Sequence, residues 1–407
     1  MAEPAAPPGL SPARARDAAR NTVLLVVGIT ALAFNLRAAI TSLPPLFPEL
    51  STSLHLPSGA IAGLAALPVL AFGVCSGVAA PLSRRYGEEW VLGGALGLLA
   101  AGLLLRGALP GSLLFPGTAL AGAAIALLNV LLPSLIKRRR PHQAGLLIGL
   151  YLLSLSAGSI LASLIAVPVY QASGGSVPLS LGLWAIPAAA AGLLWLPQRR
   201  YRTRPAGVTP AAGPLKVYRY ALTWQVTAFM GLQSLTFYAA LSWLPTMLRA
   251  RGESPGAAGA LLALTGLGGA ISSMIIPVLA HRARNQQALV AGTIVVSAAG
   301  LAACWFAPLG GAGFWTVVLG MGQGAALGLA IFFTMARAPD PAAAASLSAF
   351  AQSVGYLVAT VGPLATGFLH AVSGGWAVPV VCLLAVIGLE LVAGWPAARD
   401  VTLPAAG

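Results

Sequence analysis

The sequence predicts an all-α membrane protein with twelve transmembrane helices in two pseudo-symmetric six-helix bundles. Three observations predict it. Only 8% of the 407 residues are charged and 58% are hydrophobic, whereas a soluble domain carries about 25% charged residues to coat itself for water. Apolar runs of roughly 20 to 28 residues, each long enough to cross ~30 Å of hydrocarbon, recur along the chain. The longest polar stretch inside the chain, Gln198 to Lys216, falls between the sixth run and the seventh. An ordinary cytosolic enzyme, a secreted disulfide scaffold and a disordered protein are all excluded.

In chain order, residues 1–20 are rich in Ala, Pro and Arg and read as a disordered cytoplasmic tail. The first apolar run is too long for the h-region of a signal peptide. Spans are placed near 22–48, 59–82, 90–109, 113–136, 143–170 and 178–197, then 219–248, 256–280, 287–306, 313–336, 344–371 and 377–396. Residues 21–197 thus form an N-terminal six-helix bundle, 198–217 a basic cytoplasmic linker, 218–397 a C-terminal six-helix bundle and 398–407 a cytoplasmic tail.

The net charge of +14 is distributed by side. With the N-terminus inside, nineteen of the 23 cations fall on one side, and only Arg106, Arg249 and Arg251 on the other. This positive-inside pattern predicts a multi-pass protein of the inner (cytoplasmic) membrane with both termini cytoplasmic. Lipid head groups account for the basic charge, and no soluble part is large enough to bind nucleic acid. A monomer in the bilayer is expected.

Catalysis finds no support. Cys75, Cys304 and Cys382 are far apart and suggest neither a disulfide framework nor a metal site. His55, His142, His281 and His370 are scattered near loops. No nucleophile triad, carboxylate pair or phosphate-binding loop appears, so no enzyme, cofactor, metal or internal ATP site is expected.

The two halves carry a weak internal repeat. Leu43-Pro44 matches Leu244-Pro245 at an offset of 201 residues, which also carries Ala144 onto Ala345 and Tyr151 onto Gln352. The basic stretch Pro81 to Gly87 resembles Pro277 to Arg284, with an offset of 197 residues from Arg85 to Arg282. Topology and repeat together support duplication.

Six plus six spans with a short basic loop between spans 2 and 3 resemble the major facilitator superfamily. That loop usually reads Gly-x-x-x-Asp-Arg-x-Gly-Arg-Arg. Here Arg84 stands at the Asp position, Arg85 and Gly87 are kept, and Glu88-Glu89 replace the basic pair. The resemblance then implies gating arginines, Arg84 and Arg85, paired with Glu88 or Glu89. Five further motifs are similar to the cyanate/2-nitroimidazole transporter family. They are Asn35-Leu-Arg37 with Ile40-Thr-Ser and Pro44-x-x-x-Pro48, Asn129-Val-Leu-Leu-Pro133 with Ile136-Lys137-Arg138, and Gly231-Leu-Gln-Ser-Leu-x-Phe-Tyr238 with Trp243-Leu-Pro245. Gly320-x-Gly-Gln-Gly324 and Ala351-Gln-Ser-Val-Gly-Tyr356 with Gly362-Pro363 complete the set. The resemblance implies a secondary transporter of the major facilitator fold, with cyanate import and nitroimidazole export as the family's activities.

The residues alone point the same way. Arg37 lies about 4 Å from the centre of span 1, where a charge costs at least ~2.5–3.5 kcal/mol. No acidic residue is placed at a span centre to pair with it; Glu49 and Glu390 are taken as near span ends. One account holds Arg37 by helix carbonyls or Glu49; the other, favoured by its depth, gives it a water-filled cavity and an anion. Thr41 shares its face and Phe34 lies one turn before. Gln233, Phe237 and Tyr238 of span 7, Gln323 of span 10, Gln352 and Tyr356 of span 11 and Asn129 of span 4 complete the substrate-binding set. Interhelical hydrogen bonding competes with solute contact for each amide, and close helix packing explains the glycines around Gln323. Pro44, Pro45, Pro245 and Pro363, with Trp243, mark gating positions where prolines free carbonyls and let helix halves bend.

The expected function is alternating-access transport of a small anionic or polar solute, cyanate-like or another small organic anion. The alternative is efflux of nitroimidazole-like or drug-like heteroaromatic compounds; a remote one is a non-transporting receptor or enzyme. With Glu49, His370 and Glu390 as its only titratable candidates, all interfacial, the chain is expected to work by uniport, exchange or co-transport of a proton on the solute.

Overall fold

The computed structural model describes residues 12–200, 217–283 and 285–404. It is all-helical among these residues. The N-terminal half contains α1 (Pro12–Thr41), α2 (Phe47–Ser53), α3 (Ser58–Tyr86), α4 (Glu88–Ala108), α5 (Pro110–Arg139), α6 (Ala144–Ala172), α7 (Val177–Gly182) and α8 (Ala185–Trp195). The C-terminal half contains α9 (Ala221–Ala250), α10 (Pro255–Arg282), α11 (Gln286–Phe306), α12 (Ala312–Ala336), α13 (Pro341–Ser373) and α14 (Ala377–Ala397). Eleven helical stretches among the described residues are long and apolar enough to span a membrane. The twelfth, α9, is 30 residues long but less apolar.

Several boundaries differ from expectation. Helix α1 starts at Pro12, inside the stretch expected to be a disordered tail; residues 1–11 lie outside the described residues, as does most of the expected linker. Span 1 is broken: α1 ends at Thr41, a 3-10 turn covers Pro44–Leu46, and α2 follows. The prolines explain the break, because Pro44, Pro45 and Pro48 have no N–H to continue an α-helical ladder. Span 6 divides into α7 and α8. After α14 the chain docks: Arg337 donates to the Ala397 carbonyl at 3.0 Å, and the Leu403 N–H donates to the Arg337 carbonyl at 2.8 Å.

Arg106 corrects a topological expectation. It is not a head-group anchor; it is 1% exposed near the end of α4. It donates to the Ala39 carbonyl at 3.0 Å and to Ser42 Oγ at 3.4 Å, supplying donors to the broken end of α1. A helix end that is buried needs such donors for its orphan carbonyls.

Within the halves, α4 packs on α5, α1 on α6, α10 on α12 and α9 on α13; across them, α3 packs on α13 and α6 on α10. Glycines allow these approaches. A Cβ added at Gly158 of α6 would fall on the Phe34 carbonyl of α1. The Gly320-to-Gly324 run meets two neighbours at once: Gly320 and Gly324 face the α10 backbone at Thr265 and Gly269, and Gly322 faces Ser297 of α11. Glycine spacing at helix contacts is the expected device in a bilayer, where apolar burial does not drive helices together.

Two large cores result. One belongs almost wholly to the N-terminal half, with Ile29, Leu92, Leu128 and Trp195. The other holds the C-terminal core and also Leu43 to Leu50 and Ile61 to Ala65 of the N-terminal half. The halves therefore share one apolar core at the end of the bundle that carries α2, the end opposite the chain termini.

Candidate functional site

A cavity of about 170 Å³ lies where α1, α6, α9, α10 and α12 converge. Its polar lining comes from Arg37, Ser156, Ser159, Thr265, Ser273 and Gln323. The Arg37 guanidinium stands 5.2 Å from the ring centroid of Phe237, which also lines the cavity. The Tyr238 side chain lies beside the guanidinium as well. Among the described residues no carboxylate pairs with it. A cation at mid-membrane with aromatic partners and no counter-ion keeps most of its charge available to whatever enters the cavity.

Beside the cavity stands a cluster of rings. Phe72 of α3 lies 6.2 Å from Tyr238 and 5.7 Å from Tyr356, and the two tyrosines are 6.3 Å apart, all edge to face. Phe72 was not foreseen; an uncharged residue in an apolar run carries no signal of its own.

Of the expected binding set, Arg37, Phe237 and Gln323 line the cavity, with Tyr238 and Tyr356 in the adjoining rings. The others do not line it. Thr41 is fully buried and bonds the carbonyls of Arg37 and Ser159, tying α1 to α6. Phe34 is held by its backbone contact with Gly158. Asn129 accepts from the Tyr151 hydroxyl at 3.0 Å, an interhelical bond. Gln233 turns back to Met230 and Ser234, and Gln352 donates to Ser348 of its own helix. The reason is shared: an amide at mid-membrane satisfies its donors on the nearest hydroxyl or carbonyl, which one turn of helix already offers.

The expected gating residues separate likewise. Pro44 and Pro45 are buried in the turn after α1. Trp243 of α9 donates to the Pro363 carbonyl of α13 at 2.9 Å and packs, rings tilted, against Phe47 of α2 at 5.6 Å and Trp376 at 5.5 Å. Pro245 is buried two residues further on. This plug closes the α2 end of the cavity. It is crossed by an ion pair that was not foreseen, Glu49 to Arg249 at 2.8 Å. The two positions are 200 residues apart, one short of the repeat offset.

Arg84 and Arg85 correct the expectation from the loop motif. Both are exposed and neither meets Glu88 or Glu89. Glu88 is taken by Arg138 and Ser134 of α5, and Glu89 lies 3.9 Å from Arg139. These bonds stay inside the N-terminal half.

Glu390 is the third correction. It is not interfacial: it lies about 4–5 Å from the middle of α14 and is 1% exposed, with Thr236 Oγ1 2.6 Å away. His370 sits at the plug, stacked on Trp376.

The plug predicts a specific result. Reversing one charge, Glu49→Arg or Arg249→Glu, should raise accessibility of a cysteine placed at Leu43 to a membrane-impermeant thiol reagent several-fold. The double reversal should restore protection; no change in any of the three would remove the ion pair from the closure.

Comparison with known proteins places this architecture. The family model described as Major Facilitator Superfamily matches residues 24–363. The 2-nitroimidazole transporter of Escherichia coli strain K12 is 37% identical over 382 residues, covering 94% of this chain and 97% of the relative. The cyanate transport protein CynX of the same organism is 29% identical over 375 residues, covering 91% and 95%. A bacterial homologue of the human lysosomal transporter Spinster shares the fold with a TM-score of 0.79 at 14% identity, over 98% of this chain and 100% of that one. With the family model and a full-length relative in agreement, the chain belongs to the major facilitator superfamily, as a multi-pass secondary transporter and not an enzyme.

Proposed function

We propose that the chain moves a small organic anion across the cytoplasmic membrane by alternating access, with Arg37 as the charge contact. The observation that carries this is the mid-membrane guanidinium that lines the cavity without a carboxylate partner. An anion there gains charge-assisted hydrogen bonds in a medium of low dielectric, where they are stronger than in water. Phe237 and Gln323 supply a ring face and an amide. The transported relatives' names, cyanate and 2-nitroimidazole, support a small planar solute.

The basic end of the bundle is read as cytoplasmic by the positive-inside pattern. The shared core and plug then lie on the outer side. The ring cluster of Phe72, Tyr238 and Tyr356 favours a second reading, efflux of a flat heteroaromatic compound.

Counterflow in proteoliposomes distinguishes them. Preloaded cyanate or benzoate should accelerate uptake of the same labelled anion at least tenfold over protein-free liposomes. Counterflow with 2-nitroimidazole and with neither anion would overturn the anion reading in favour of the second.

A further inference from the structure

Among the described residues, Glu390 is the one acidic residue in the body of a spanning helix. Its Oε1 is 2.6 Å from the hydroxyl of Thr236, at the midpoint of α9. That hydroxyl has one proton and a second contact, 3.0 Å to the Gln233 carbonyl, which can only accept. When Thr236 donates to Gln233, the short contact to Glu390 is a hydrogen bond only if the carboxyl donates, and so carries a proton. When Glu390 is ionised, the hydroxyl must turn toward it and leave the Gln233 carbonyl. The pair therefore has two hydrogen-bonded arrangements that differ by one proton.

Among the described residues no cation faces this carboxyl. Helix α14 packs on α9, α11 and α13. On α9 the ionisable groups are Tyr238, which turns to Arg37 and Phe72, and Arg249, which is held by Glu49. On α11 there is Cys304, buried and uncharged in its thiol form. On α13 there are Tyr356, in the ring cluster, and His370, stacked on Trp376 at the plug. On α14 itself there is Cys382. Arg337 reaches this helix at the Ala397 carbonyl, about 10 Å further along the axis. A buried carboxylate without a cation is costly, so its protonation answers to other charges nearby.

Such a charge enters the cavity. The turn of α9 that holds Thr236 also carries Phe237 and Tyr238 against Arg37. The Thr236 carbonyl accepts from Gln323 of the cavity wall at 3.4 Å. The cation and the carboxyl thus touch neighbouring residues of the same turn of α9. We infer that Glu390, relayed by Thr236, is the proton-carrying group of the transporter, taking up one proton with each anion bound at Arg37, so that the protein is a proton–anion symporter.

This rests on the anion reading and deepens it. An anion at Arg37 repels the Glu390 carboxylate and favours its protonation; by reciprocity, protonation favours anion binding. The step is a proton transfer alone: a hydronium ion from the cavity protonates the Thr236 hydroxyl as that hydroxyl passes its own proton to a Glu390 carboxylate oxygen, leaving water and an intact hydroxyl, and the carboxyl O–H bond breaks again when the proton returns to water on the other side. With a monovalent anion the loaded carrier moves no net charge, so the pH gradient drives accumulation and the membrane potential does not.

The test uses the purified full chain in proteoliposomes with labelled cyanate and benzoate, protein-free liposomes being subtracted. With the interior one pH unit more alkaline, the wild type should accumulate anion toward about tenfold, the limit for one proton per anion, and valinomycin-imposed potentials should leave this unchanged. Glu390→Gln should abolish accumulation while anion exchange persists. Thr236→Val, which keeps the carboxyl and removes the relay, should lower accumulation to less than half, and it decides the matter if Glu390→Gln does not fold. Accumulation at wild-type level in either variant, or wild-type accumulation indifferent to pH, would overturn the proposal. If neither anion exchanges in the wild type, the anion reading has failed instead. Infrared difference spectroscopy then still reads the proton: the carbonyl stretch of a protonated carboxyl should fade on alkalinisation in wild type and be missing in Glu390→Gln. Identical spectra from the two proteins would overturn the assignment.

Discussion

Arg37→Ala is expected to lower affinity for small anions by at least tenfold to a hundredfold while leaving the melting temperature unchanged or higher. The first figure follows from hydrogen bonds to a charged group, worth about 1.5–3 kcal/mol each. The second follows from the absence of a carboxylate partner: removing this cation leaves no buried opposite charge behind, and it relieves the cost of holding a charge at mid-membrane. Arg37→Lys separates charge from geometry. Lysine keeps the positive charge but loses the planar fork, so an intermediate affinity is expected. Calorimetric titration of cyanate and benzoate into detergent-purified protein, beside a thermal unfolding scan, measures both quantities. A variant that binds as wild type does would end the role of Arg37. A variant that binds weakly but also melts well below wild type would make Arg37 a structural residue.

Gly320→Leu is expected to act through packing instead, leaving Arg37, Phe237 and Gln323 present in the cavity but preventing the bundle from closing. A Cβ at Gly320 would fall on the Thr265 carbonyl of α10, and backbone cannot move aside as a flexible side chain can. Overpacking ordinarily costs about 1–3 kcal/mol, and a clash with main chain belongs at or above the top of that range. The internal comparison is Gly292 of α11, where an added Cβ meets nothing within 4 Å. Fluorescence-detected size exclusion should show Gly292→Leu as a monodisperse peak and Gly320→Leu as aggregate. Equal profiles would mean that α10 and α12 do not touch through Gly320.

The spans were legible because apolar runs and basic loops are properties of composition, which a chain displays without folding. Arg37 was legible for a related reason: one charge in a long apolar run is conspicuous, and its depth follows from counting residues. The amides were less so. Gln233 and Gln352 satisfy themselves on their own helices at Ser234 and Ser348, a choice of rotamer that spacing does not reveal. Glu49 and Arg249 meet only because the two halves close on one another at that end. The carboxyl of Glu390 was assigned to the interface although seven residues follow it in α14, enough to carry it about 10 Å inward from that helix end. Phe72 had no polar group to attract notice, and its place in the ring cluster comes from the packing of α3 against α13.

The modest apolarity of α9 has a consequence for how the protein is made. Its Thr223, Thr227, Gln233, Ser234, Thr236 and Ser242 are buried against protein in the finished bundle, but a nascent helix has only lipid and the translocation machinery around it. Polar residues near a helix centre weigh against its partition into lipid, and Arg249 and Arg251 at its far end weigh against the required orientation. Such a helix is expected to enter the bilayer in company, because α13 and α14 supply the main surfaces that cover it in the finished bundle. The helix that brings Phe237 to the cavity is thus the one whose insertion is expected to depend most on its neighbours.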